Sequence, residues 1–114
     1  MKSRSRLSAI MVITLFAATL AVSHNSPAAH TKPPVAIKID NFSFPESVTV
    51  PAGTEVTWTN ADDIPHTVVS DDKTTFKSRA LDTDDKFSFT FTKPGTYTYF
   101  CSIHPKMTAK IIVQ

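Results

Sequence analysis

From Val35 onward the apolar and polar residues of this chain alternate with a period of two. Ile37 and Ile39 stand against Ala36, Lys38 and Asp40, Val48 and Val50 against Thr49, and Val56 and Trp58 against Thr57 and Thr59. Further along, Phe87, Phe89 and Phe91 oppose Ser88, Thr90 and Thr92, and Tyr97, Tyr99 and Cys101 oppose Thr96 and Thr98. Successive side chains of a strand point to opposite faces, so this alternation predicts strands with one face buried. Pro51-Ala52-Gly53 and Lys93-Pro94-Gly95 read as turns, and Lys110 to Val113 as the closing strand. The apolar positions are rich in β-branched and aromatic residues, and no helical period of useful length follows Val35. The expected fold is therefore all-β, a Greek-key sandwich or barrel. His66 to Val69 reads as the start of a further strand. Asp71 to Asp85, acidic and weakly periodic, reads as a loop with one or two short strands.

The N-terminal part has a different pattern. Lys2, Arg4 and Arg6 precede an uncharged run from Leu7 to Val22, and Ala21-Val22-Ser23 places small residues at the −3 and −1 positions of a cleavage site. Residues 1–23 are expected to be a secretory signal peptide cleaved near Ser23/His24. Read as a membrane anchor, the run falls short of the roughly 20 residues a spanning helix needs. Stable membrane insertion after cleavage is not expected. Residues 24–34, with Pro, Ser and Ala, read as a flexible linker in which His24 and His30 are solvated tail residues. Residues 35–114 form one domain.

Cleavage changes the charge account. The precursor has 12 Lys and Arg against 10 Asp and Glu; without Lys2, Arg4 and Arg6 the basic count is nine and the net charge is near −1. A basic nucleic-acid-binding protein is thereby excluded as the natural reading. A periplasmic or otherwise exported location is expected. The single cysteine, Cys101, has no internal disulfide partner.

Cys101 stands in Cys101-Ser102-Ile103-His104-Pro105-Lys106-Met107, so a thiol, an imidazole and a thioether recur at i, i+3 and i+6. Met1 and Met11 leave with the leader, making Met107 the only methionine of the mature chain. The motif lies between two predicted strands, on a loop short enough to fold three donors around one ion. His66 precedes the cysteine by 35 positions. Thiolate and thioether suit Cu(I), imidazole suits both oxidation states, and two histidines, one cysteine and a weak methionine form a blue-copper ligand set. Zinc is a poorer match, because methionine is not among its usual ligands.

The stretches VTVPAGTEVTWTNADDIPHTVV and FSFTFTKPGTYTYFCSIHPKMTAKIIV resemble the cupredoxins, the small blue-copper proteins, with the Cys-x2-His-x2-Met spacing of their amicyanin branch and a wider kinship to plastocyanin. The resemblance spans roughly Val35 to Val113. It implies that His66, Cys101 and His104 are the strong equatorial ligands of one type 1 copper ion cycling between Cu(I) and Cu(II), with Met107 the long axial ligand. Two positions depart from the family's pattern: Thr67 stands where the family often has an asparagine tying the two ligand loops together, and Ile103 where its loop typically has proline.

A closed site with no position open to a substrate points to a one-electron carrier between redox partners rather than an enzyme. Donor and acceptor proteins are expected to dock on the apolar surface near His104, formed by Ile64, Pro65, Ile103 and Pro105, and the carrier itself is expected to be a monomer. Lys106, in the same loop, is placed to favour an acidic partner. The alternative is a periplasmic copper chaperone or storage protein, which the ligand set alone does not exclude.

Overall fold

The computed structural model describes residues 32–114, together with 17, 18 and 21. Almost all of the expected leader and most of the linker, His24 and His30 included, lie outside the described residues. The described residues form seven strands: β1 (Val35–Ile39), β2 (Ser47–Val50), β3 (Thr54–Asn60), β4 (Val69–Ser70), β5 (Lys86–Phe91), β6 (Gly95–Phe100) and β7 (Thr108–Val113). Among the described residues there is no helix, and none long and apolar enough to cross a membrane.

The strands form two sheets, one in the order β1-β3-β5 and one in the order β2-β7-β6-β4. β1 runs parallel to β3 and β2 parallel to β7, while β3–β5, β6–β7 and β4–β6 are antiparallel. The chain thus changes sheets between β1 and β2 and again between β2 and β3, which lets two sheets close over one core. The alternation read from the sequence is the burial seen: in β3, Val56 and Trp58 are fully buried while Glu55 is exposed. Gly53 makes the β2–β3 turn possible. Its φ of 89° lies where L side chains are strained, and the turn closes with Thr54 N–H on the Pro51 carbonyl at 3.2 Å.

Trp58 centres the core. Its indole N–H donates to the Tyr99 hydroxyl at 3.2 Å, and its ring packs on Phe76, Phe87, Phe91 and Tyr99. Each fully buried large side chain of this kind contributes about 1.5–3 kcal/mol relative to exposure.

Two local expectations need correction. His66 does not begin a strand: it makes an isolated bridge with Leu81, and β4 is only Val69–Ser70. The run from His66 to Ser70 is buried at every position, with no polar face to give a solvent-facing strand. Residues 71–85 supply no strand, only bridges at Lys77 and Leu81. Side chains there take over backbone partners: Asp72 accepts from the Thr74 and Thr75 amides at 2.9 Å each, and the Ser78 hydroxyl accepts from Val68 N–H at 2.8 Å. Such local bonds compete with a strand ladder. The closing strand also starts two residues earlier than expected, at Thr108.

Candidate metal centre

The site lies at one end of the sandwich, where the chain leaves β3 and where β6 turns into β7. Fully buried Asn60, the last residue of β3, shapes the first loop. Its amide donates to the carbonyls of Ile64 at 2.7 Å and Leu81 at 2.8 Å, and its oxygen accepts from Asp62 N–H at 2.9 Å. His66 is bound to the same residue, Leu81, by paired backbone bonds. The second loop is closed at both ends: Cys101 N–H donates to the Met107 carbonyl at 3.0 Å, and Met107 N–H to the His104 carbonyl at 2.8 Å. Two rigid segments thus present side chains to one point.

The structure brings His66, Cys101 and His104 together. One ligand atom from each lies within 4.8 Å of the others, and both imidazoles turn Nδ1 toward the thiol, at 3.8 Å for His66 and 3.7 Å for His104. His66 and Cys101 are fully buried and His104 is half-buried. Met107 is buried on the same loop and lines, with His104, Phe42 and Ile103, a surface cavity of about 640 Å³. Among the expected docking residues, Ile103 and Pro105 border that cavity, Ile103 is 47% exposed, Pro65 is exposed and Ile64 is half-buried.

The thiol is tuned by opposing effects. Burial pushes its pKa up, but Thr67 N–H at 3.4 Å and hydrogen bonds from His66 and His104 bring it down to about 6. A buried sulfur is thereby held as thiolate near neutrality, the form in which cysteine ligates metals. His66 Nε2 lies 2.7 Å from the Asp62 carboxylate. A carboxylate can only accept, so a proton sits on Nε2, which leaves Nδ1 as the ring atom available to a metal. Asp62 is itself held below the usual carboxylate range, first by Phe42 N–H and then by His66 and Asn41. The chemistry of this donor set fits a copper ion: thiolate and imidazole nitrogens converge, with a thioether on the same loop.

Thr67 does the work expected of the family's asparagine. Its hydroxyl accepts from Ser102 N–H at 2.7 Å and pairs with the Ser102 hydroxyl at 2.8 Å, tying the two ligand loops together.

Residues 10–113 match the model of the cupredoxin-like domain family. The chain belongs to that family. It is 36% identical over 107 residues to amicyanin-alpha of Methylorubrum extorquens, covering 88% of this chain and 85% of the relative. Among solved structures it is similar to an amicyanin variant in its Cu(I) form, with a TM-score of 0.66 and 28% identity over 71% of this chain and 82% of that one. A copper-containing nitrite reductase from Thermus scotoductus gives a TM-score of 0.67 and 34% identity, but this cupredoxin-like chain matches only 22% of its length.

Two features of this cupredoxin-like site escaped the sequence reading, Asp62 and Phe42. Asp40 and Ser43 exchange backbone bonds at 3.2 and 3.1 Å around Asn41 and Phe42, whose φ values are 52° and 55°. That is a two-residue hairpin loop of the primed type. Asp62 accepts from both loop amides, Asn41 at 2.7 Å and Phe42 at 2.9 Å, so one carboxylate secures the hairpin and orients His66. An Asn inside a polar break between apolar runs was the sequence's signal for this turn; nothing local pairs it with a carboxylate 20 residues later.

Proposed function

We propose that the mature domain is an exported carrier of single electrons, holding one type 1 copper ion through His66, Cys101, His104 and Met107. The observation that carries this reading is the convergence of one ligand atom each from His66, Cys101 and His104 within 4.8 Å at a largely buried sandwich end. Copper, when bound, supplies the one-electron couple. The chain's own residues do the rest. Cys101 is kept as thiolate, with Thr67 N–H donating to its sulfur, and hydrogen bonds at that sulfur tune the potential of such centres. Asp62 fixes the His66 tautomer, and Thr67 with Ser102 holds the two loops in register. Rigid donors change little between oxidation states, which lowers the reorganisation that electron transfer requires.

His104 is the only half-exposed member of the three converging donors, and apolar Ile103, Pro105 and Pro65 lie on the surface around it. Donor and acceptor proteins dock there, in line with the small, weak interfaces that redox encounters use. Signal cleavage delivers the domain to the periplasm as a monomer. Adding Cu(II) to the copper-free domain is the test: an intense thiolate-to-copper band in the visible and a reversible one-electron wave are expected. A colourless, rapidly exchanging complex would refute the carrier and leave copper delivery or storage as the role.

A further inference from the structure

We propose that Phe42 is a positioning residue, whose ring braces His66 and His104 in the orientation that turns both Nδ1 atoms toward Cys101. The inference rests on the copper-centre reading above but concerns residues of this chain alone. Two-residue primed hairpins favour Asn followed by Gly, because both positions take positive φ. This loop has Asn41 in the first position and a bulky aromatic in the second, at φ 55°. A large side chain in that region is an outlier, and such outliers gather where function over-determines the backbone.

Core burial does not account for the residue, since Phe42 is 52% exposed. The aromatic rings it meets are the imidazole pair. The centroids lie 5.7 Å from His66 at 86° and 5.3 Å from His104 at 79°. Both contacts are edge-to-face, the arrangement in which aromatic rings attract. The imidazoles are 5.1 Å apart at 61°, so the three rings support one another. His66 has the Asp62 carboxylate as a second anchor. Among the described residues the His104 ring has no polar partner beyond Cys101 Sγ. His104 therefore depends on Phe42 for its orientation, and Asp62, by gripping both loop amides, keeps Phe42 in place.

Phe42→Gly tests this cleanly, because it installs the residue the turn prefers while removing the brace. The variant should melt no lower than the wild type in the copper-free state. In that state the nuclear Overhauser contact between the His66 and His104 rings should weaken. Loaded with copper, it should lose the metal to excess EDTA about tenfold faster, equivalent to about 1.4 kcal/mol. Phe42→Tyr keeps the ring edge and should restore wild-type behaviour in both measurements. A Phe42→Gly protein with the ring contact intact and copper release at the wild-type rate overturns the proposal, as does a lowered melting temperature with the contact unchanged. If the wild type forms no copper complex, the copper reading falls, while the ring contact in the copper-free protein still decides the role of Phe42.

Discussion

Replacing Asp62 by alanine removes three hydrogen bonds in one step, and the structure says how unequal they are. The Asn41 and Phe42 amides sit on an exposed hairpin, so water can replace the carboxylate there, and each lost bond costs about 0.5–1.5 kcal/mol. His66 is different. Its side chain is 0% exposed, so its Nε2–H has no water to turn to and is left unpaired in the interior, at about 1–3 kcal/mol. Together these give about 4 kcal/mol, which for a domain of this size lowers the melting temperature by about 16–32 °C. The assay is thermal unfolding of the copper-free protein by circular dichroism at neutral pH, since bound metal would add its own stabilisation. Asp62→Asn keeps the shape and one acceptor oxygen, and should lose about half as much. Melting of Asp62→Ala within about 3 °C of the wild type would refute the reasoning, because it would mean that the buried imidazole finds another partner at little cost.

Thr67→Val keeps the shape of the side chain but removes the acceptor for Ser102 N–H; amide exchange at Ser102 should quicken about tenfold and the melting temperature fall by about 4–8 °C, with Thr67→Ser restoring both. Unchanged exchange at Ser102 would show that the loops are tied elsewhere. Burial pushes the Tyr99 hydroxyl up to about 12, partly offset by the Trp58 N–H, against an ordinary value near 10. The folded state thus holds this proton after the unfolded chain has released it. The Tyr99 contribution is complete below pH 10 and is lost as pH rises toward 12, by about 2–3 kcal/mol in denaturant titrations; Tyr99→Phe should lack that alkaline decline.

Much of the fold was legible because alternation is a local property. Phe87, Phe89 and Phe91 share the inward face of β5, as their spacing requires, with Phe91 fully buried. The segment from His66 to Ser70 was harder, since a stretch buried on every side shows no period, and the one from 71 to 85 because Ser70, Asp72 and Ser78 satisfy backbone groups with their side chains. The candidate donor loop stood out because Cys101, His104 and Met107 are close in sequence and the chain between β6 and β7 is short. His66 was readable from its residue type and the resemblance it shares with that loop.

By itself, then, the sequence determined which residues face inward along each strand and which donors stand on the short C-terminal loop, for both follow from bond geometry over a few residues. The tertiary structure alone decided that β1 pairs in parallel with β3 and β2 with β7, because those registers depend on how two sheets cover one core. It also decided that Thr67 meets Ser102, and that Asp62 joins a hairpin 20 residues away to a buried imidazole. Contacts of that kind carry no sequence period. They exist because closing the sandwich brings separate loops to one end, where polar groups cut off from water must find one another.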